Sequence, residues 1–282
     1  MIIVKSVLLY INNTKKESDS LKKDIIEFLL DKKIKVDMRN AEKKDHKIID
    51  GYDLVITLGG DGTVLHALRC MKGAHIPILG INLGTVGFIT EISKDEWKEA
   101  LITYLDGGLR VSNRTLLDIN VHRGDKNVFK TVGVNDGIIT ANQIKTIVEL
   151  KIYFSDTEIG DVHGDGVIIS TPTGSTAYSL AAGGPIINPE MNALILTPIC
   201  PYSLSNRPMV TSGDEVIRVK VNKNQRSDIL LTVDGQECFN LEEEDSVSFR
   251  ELSNFAHIIM SDKRSFFDVV RTKFRWTGGP RA

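Results

Sequence analysis

Tyr52–Met71 reads YDLVITLGGDGTVLHALRCM. The run Leu54-Val55-Ile56-Thr57-Leu58 is apolar and β-branched, the pattern of a buried strand. Val64, Leu65, Leu68 and Met71 recur at helical spacing. Between them stand Gly59, Gly60, Asp61, Gly62 and Thr63, so the stretch predicts strand, tight turn, helix. Three glycines permit positive φ and let a ligand approach the main chain. Amides at the turn and the helix start suit a phosphate, which makes Gly59, Gly60, Gly62 and Thr63 the candidate phosphate-binding set. Asp61 sits in the middle of that set. A carboxylate repels phosphate, so its presence points to work: holding a metal, or accepting a proton from an attacking hydroxyl. The alternative is an ordinary Gly-rich turn with Asp61 as a helix cap.

The flanking segments repeat the alternation. Val4–Ile11 is a first apolar strand, and Leu21, Ile25, Ile26, Leu29 and Leu30 form one helix face. Lys33–Met38 reads as a short strand, and Asn40–Lys47 as a polar surface connection. Ile76–Ile81 is a further strand that feeds LGTVGF at 83–88, a second glycine-bearing turn, before a helix over Lys94–Leu105. The alternation predicts an α/β N-terminal domain with an open parallel sheet over residues 1–105, with ligands beyond the carboxyl ends of its strands. From Gly107 the pattern changes to short β-rich segments at 116–121, 128–134, 147–154, 167–170, 216–221, 229–233 and 247–249. Turn signals such as Arg123-Gly124-Asp125 separate them, which predicts a β-rich, sandwich-like domain over 106–255. The basic, aromatic tail at 256–282 is expected to pack back on the first domain as a helix or a strand.

The chain has 282 residues, 41% hydrophobic and 26% charged, which fits a globular protein of two domains. A net charge of −2 advertises no nucleic-acid or acidic-membrane partner. Cys70, Cys200 and Cys238 are widely spaced and odd in number, so they suggest neither a metal site nor a disulfide framework. The apolar run at the N-terminus is too short to span a membrane and carries no signal-peptide cleavage pattern. The expected compartment is a reducing cytoplasm.

A second glycine-bearing site follows the strand Val167–Ser170: Thr171-Pro172-Thr173-Gly174-Ser175-Thr176-Ala177-Tyr178. Its hydroxyls and amides suit a purine edge or a phosphate, with Thr173 capping the next helix and Tyr178 offering a ring face. The alternative is simply a well-capped helix. Asn135-Asp136 ends the strand 132–134. An amide followed by a carboxylate can read an adenine edge and a ribose diol, although such a pair is also a common turn.

GGDGT at 59–63, Asn135-Asp136 and TPTGSTAYSLAAGGPI at 171–186 together resemble the NAD kinase family. LGTVGF, LTPICPYSLSNRPMV at 196–210, VDGQE at 233–237 and the tail SFFDVVRTKFRW look like its bacterial members, so the resemblance covers nearly the whole chain. It implies transfer of the ATP γ-phosphate to the 2′-hydroxyl of the adenosine ribose of NAD, giving NADP. It also implies homodimers or homotetramers and a divalent cation, Mg²⁺, delivered with ATP. Asp61 matches the family's proton acceptor and Gly62 its neighbour. Phe88 matches a residue packing on the adenosine, and Asn135 and Asp136 an Asn-Glu pair on adenine and ribose. Asp165 matches a carboxylate near the nicotinamide half. Thr173, Thr176, Ala177 and Tyr178 match the adenine-binding turn, part of it reached from a neighbouring subunit. Ala181 and Gln236 are further contacts by position, and His66 and His163 stand where members often carry a basic residue.

Three departures stand out. Asp136 replaces the usual Glu and reaches one methylene less far. His163 replaces a frequent Arg and is only partly charged near neutral pH. Tyr202 stands where a His is common. Two rival readings remain: a lipid kinase with the same Gly turn, which wants a large apolar pocket or membrane-binding face, and a non-catalytic nucleotide sensor, for which Asp61 is a poor choice.

Overall fold

The computed structural model describes residues 2–12, 18–41, 47–72, 74–142, 147–253 and 255–276. The chain divides into two units, Met1–Asn113 with Ala256–Ala282, and Arg114–Phe255.

The first unit opens β1 (Ser6–Ile11), α1 (Ser18–Asp31), β2 (Lys35–Asn40), β3 (Leu54–Gly59), α2 (Asp61–Met71), β4 (Ile78–Asn82), β5 (Ile92–Ser93), α3 (Trp97–Leu105) and β6 (Val111–Arg114). The polar connection expected at Asn40–Lys47 falls largely outside the described residues. Every residue of β3 and β4 is buried, as a central parallel strand with helices on both faces requires. α1 is amphipathic and buries Leu21, Ile25 and Leu29, whereas α2 buries eight of its eleven residues. The strands β2, β1, β3 and β4 lie side by side and run parallel, with β5 also parallel to β4. The strand order reverses between β1 and β3: α1 leads from β1 to one edge, and α2 leads from β3 the other way. Open α/β sheets bind ligands at such a reversal, beyond the carboxyl ends of the strands, and there the GGDGT turn lies.

The second unit holds β7 (Leu117–Arg123), β8 (Lys126–Gly133), β9 (Asp136–Ala141), β10 (Val148–Phe154), β11 (Thr157–Gly164), β12 (Gly166–Ser170), a 3₁₀ turn (Gly174–Thr176) and α4 (Tyr178–Ala181). It continues with β13 (Ala193–Ile199), β14 (Met209–Ser212), β15 (Ile217–Val221), β16 (Ile229–Val233), β17 (Glu237–Leu241) and β18 (Ser246–Glu251). Two six-stranded sheets result, in the orders β11-β10-β15-β18-β7-β8 and β14-β13-β12-β9-β16-β17. Their neighbours pair antiparallel. Ile119, Leu150, Val219 and Phe249 of one sheet share a single apolar core with Ile139, Val167, Leu194 and Leu231 of the other. Apolar residues alternate inward along each strand, so stacking the two sheets removes both faces from water.

The chain then returns to the first sheet as β19 (Ala256–Ile259), which lies between β4 and β6 and runs parallel to β4. The first unit thus extends to Asn113 on its first pass, rather than ending at 105, because β6 belongs to this sheet. α5 (Phe266–Lys273) is the helical outcome for the tail, started by a capping box between Ser265 and Asp268. Arg264 donates to Glu96 at 2.8 and 2.7 Å, and this pairing holds the Glu96 carboxyl down to about 2. Residues 277–282 of the tail lie outside the described residues. Among the described residues no helix is long and apolar enough to cross a membrane.

Candidate functional site

β3 ends at Gly59 and α2 begins at Asp61, so only Gly60 separates them. Gly60 is extended (φ −128°, ψ −168°) and supplies no side-chain cap. None of the three turn glycines has positive φ, contrary to the sequence expectation. What they provide is space. A Cβ on Gly59 would overlap the Thr63 hydroxyl, whereas a Cβ on Gly60 or Gly62 would meet nothing within 4 Å. Packing of the first unit therefore demands glycine at 59 and leaves room over 60 and 62.

Asp61 does not cap α2 either. Its carboxylate crosses to the loop after β4, where Oδ2 accepts from the Phe88 amide at 2.9 Å. Oδ1 accepts from the Ile89 amide at 3.3 Å, the Thr90 amide at 2.9 Å and the Thr90 hydroxyl at 2.7 Å. Asn82, at the end of β4, donates to the same hydroxyl at 2.7 Å. Gly87 lies so close to the carboxylate that a Cβ there would overlap it. The two glycine-bearing turns of the first unit are thus one structure, joined through Asp61. A carboxylate offers about four acceptor sites. Oδ2, holding one hydrogen bond, keeps room for another donor.

In the second unit the chain crosses from one sheet to the other between β8 and β9, through Val134 and Asn135. Asp136 is therefore the first residue of a strand rather than part of the turn. Three successive amides of this crossing converge on the Asp234 carboxylate. Oδ1 accepts from Val134 at 3.1 Å, Asn135 at 2.7 Å and Asp136 at 3.2 Å, and Oδ2 accepts from Val134 at 3.0 Å. The Asp234 amide donates back to the Asp136 carbonyl at 3.0 Å. Asp234 and Gly235 both have positive φ (49° and 63°), and the Gln236 amide closes the turn on the Val233 carbonyl at 2.9 Å. This is the type I′ Asp-Gly hairpin turn, here joining β16 to β17.

The turn after β12 is built against the same crossing. The Thr171 amide donates to the Asn135 carbonyl at 2.9 Å, and the Thr171 hydroxyl donates to the Val134 carbonyl at 2.7 Å. That hydroxyl also accepts from the Gly174 amide at 3.1 Å. The capping task expected of Thr173 thus falls to Thr171, and Thr173 makes no capping bond. Its Oγ1, like Asn135 Oδ1, is buried with no hydrogen-bond partner among the described residues. Asp136 beside them is 4% exposed. Burial, and then the charge of Asp234, pushes its carboxyl up to about 7. An unsatisfied buried polar group costs about 1–3 kcal/mol, so such a cluster calls for a partner from outside the fold.

Residues 39–109 match the family model for the ATP-NAD kinase N-terminal domain, and 134–261 that for the ATP-NAD kinase C-terminal domain. The NAD kinase of Treponema denticola is 37% identical over 277 residues, 98% of each chain. The chain belongs to the NAD kinase family. Membership makes it a phosphotransferase, a kinase acting on NAD. The NAD kinase of Geobacter metallireducens is 41% identical over 231 residues, 82% of this chain and 81% of its own. The fold agrees: the crystal structure of yeast NADH kinase complexed with NADH matches with a TM-score of 0.89 at 24% identity, over 99% of this chain and 89% of that one.

Of the positions matched to the NAD kinase pattern, the second unit brings Asn135, Asp136 and the 173–178 turn together. The Thr176 hydroxyl donates to the Thr173 carbonyl at 3.3 Å and the Ala177 amide to the Gly174 carbonyl at 2.9 Å. Tyr178 and Ala181 are exposed on α4, and Gln236 is exposed in the Asp234 hairpin turn. In the first unit, the Phe88 ring stacks on Phe274 of the tail, with centroids 5.6 Å apart. His66 is buried on α2, its Nδ1 2.6 Å from the Tyr10 hydroxyl. His163 lies apart on β11, half exposed, 4.0 Å from Glu149 and beside Tyr202 in an open depression. Asp165 accepts from the Cys200 thiol, and this bond pushes the thiol up. Among the described residues no three His, Cys, Asp or Glu side chains gather to hold a metal ion.

Asp234, Thr90 and Thr171 were not singled out from the sequence. Asp234 and Thr171 lie within the quoted stretches VDGQE and TPTGSTAY but received no role there, and nothing marks Thr90.

Proposed function

We propose that this chain transfers the γ-phosphate of ATP to the 2′-hydroxyl of the adenosine ribose of NAD, producing NADP. The observation that carries this is the buried, unpartnered pair Asn135 Oδ1 and Thr173 Oγ1 beside the buried Asp136 carboxyl. Adenosine supplies what they lack. Its exocyclic amine donates to Asn135, a ring nitrogen accepts from Thr173, and the ribose hydroxyls pair with Asp136. A lipid acceptor would leave all of them unmet. The exposed Tyr178 ring offers a stacking face, with Thr176, Ala177, Ala181 and Gln236 as neighbouring contacts and Asp165 serving the nicotinamide half.

In the first unit Asp61 is the proton acceptor of this proposal. A ribose hydroxyl is too weak an acid to ionise beforehand, so Asp61 Oδ2 orients it and takes the proton late, as the P–O bond forms. Open room over Gly60 and Gly62 at the start of α2 suits phosphate oxygens, which the helix N-terminus attracts. Mg²⁺ enters as part of the ATP substrate and offsets phosphate charge. A homodimer or homotetramer in the cytoplasm completes the proposal. Tyr202 and Leu204, 85% and 81% exposed, are apolar surface of the kind a second copy covers.

Purified chain given ATP, Mg²⁺ and NAD should form NADP, read by an NADP-specific dehydrogenase. Phosphorylation of a diacylglycerol or sphingoid base with no NADP formed would overturn the proposal.

A further inference from the structure

The crossing at 134–136 has an unusual support. Backbone amides that gather around one anion normally make a binding nest for a ligand. Here the nest is already filled by a side chain of the same fold, from a hairpin about a hundred residues later. Both flanking strands are held in sheets: β8 pairs with β7, and β9 pairs with β12 and β16. The crossing itself has no ladder, and Val134 and Asn135 are held by Asp234 on the amide side and by Thr171 on the carbonyl side. Asn135 and Asp136 carry the side chains proposed above to receive adenosine.

We propose that Asp234 is a positioning residue for NAD binding: by holding the amides of Val134, Asn135 and Asp136 it sets where the Asn135 and Asp136 side chains stand. This rests on the adenosine assignment of the previous section. Asp234 touches neither the reacting phosphate nor the hydroxyl in that scheme, so it acts through Asn135 and Asp136. Displacing a binding group by about 1 Å can cost about 10²-fold in rate.

Charge and geometry can be separated in part at this residue. Oδ1 alone reaches all three amides, so Asp234→Asn keeps an acceptor for each of them; it removes the charge and turns the Oδ2 position, which faces the Val134 amide, into a donor. Asp234→Ala removes both acceptor and charge. The charge has a distinct target. Around Asp136 lie β12, β16, the crossing and the 171–176 turn, and Asp234 is the charged group there that acts on it, raising its carboxyl in addition to burial. Losing that charge lets Asp136 ionise at lower pH.

The test is the pH profile of kcat/KM for NAD, from pH 5.5 to 9, in the wild type and both variants, with melting temperature measured on each. The limb near pH 7 should move to lower pH in Asp234→Asn, while KM at pH 8.5 stays within a few-fold of wild type. Asp234→Ala should raise KM for NAD by at least about tenfold with a smaller change in kcat. A residue that merely stabilised the fold would lower the melting temperature and leave KM for NAD unchanged in the folded variants. An unmoved limb in Asp234→Asn, in a variant that still makes NADP, overturns the proposal. So does a wild-type KM in Asp234→Ala. A wild type that makes no NADP would instead sink the assignment on which it rests. Should Asp234→Ala fail to fold, the limb in Asp234→Asn decides.

Discussion

Asp61 grips Thr90 twice, Oδ1 accepting from the amide at 2.9 Å and from the hydroxyl at 2.7 Å. The proposed proton acceptor is therefore also the anchor of the 88–90 loop. Asp61→Asn keeps the shape but turns one oxygen into a donor, which then faces an amide N–H. The variant should lose about 1–3 kcal/mol of stability and about 10²–10⁴-fold in kcat. Thr90→Val separates the two effects, since it loosens the loop and leaves the carboxylate intact. Melting temperature and kcat measured on both variants decide: if Thr90→Val loses as much kcat as Asp61→Asn, Asp61 acts as an anchor alone.

Gly59 and Gly62 should respond in opposite ways. Gly59→Ala forces a Cβ into the Thr63 hydroxyl and should lower the melting temperature. Gly62→Ala meets open space inside α2, where Ala is favoured over Gly by about 0.5–1 kcal/mol, so stability should rise slightly. KM for ATP should nevertheless increase several-fold, because the new methyl occupies the room assigned to phosphate. A Gly62→Ala variant with unchanged ATP kinetics would place the phosphates elsewhere.

Asp136 carries a stability penalty that depends on pH. Its carboxyl stands near 3.8 when unfolded and is raised to about 7 in the fold. Between those values the folded state holds the proton more tightly, so stability falls as pH climbs from about 4 through about 7 and is lowest above that. Asp136→Asn removes the penalty. In the absence of NAD it should gain on the order of a few kcal/mol over wild type at pH 8 and little at pH 4.5. Denaturant melts at the two pH values measure this, and an equal gain at both would refute the ionisation account.

His66 is held in the core by the Tyr10 hydroxyl at 2.6 Å and by ring stacking at 5.9 Å. His66→Leu should lower stability by about 1–3 kcal/mol, since it removes a hydrogen bond made in the core, while KM for NAD stays within a few-fold. A large rise in KM with an unchanged melting temperature would restore it as a substrate contact.

Much of this protein was open to reading from residue order. The strand–turn–helix at 54–71 follows from apolar periodicity and glycine placement, which are local, and the structure puts both elements there. β11 was missed because TEIGDVHG is polar and carries glycine, as an edge strand with a wet face is free to be. β9 was missed because Asn-Asp-Gly reads as a turn, and only pairing with β12 and β16 makes it a strand.

What the sequence by itself determined is the strand–turn–helix unit at 54–71, the two-part architecture and the family, since periodicity, turn chemistry and long motifs all lie within short windows. What only the tertiary structure decided is where the carboxylates point. Asp61 meets partners 27 to 29 residues away, and Asp234 meets amides 98 to 100 residues away. A hydrogen bond requires its atoms within about 3 Å and good alignment, and leaves no mark on the order of residues between them. The same holds for Asp136, whose elevated carboxyl comes from burial and from a charge on a distant hairpin.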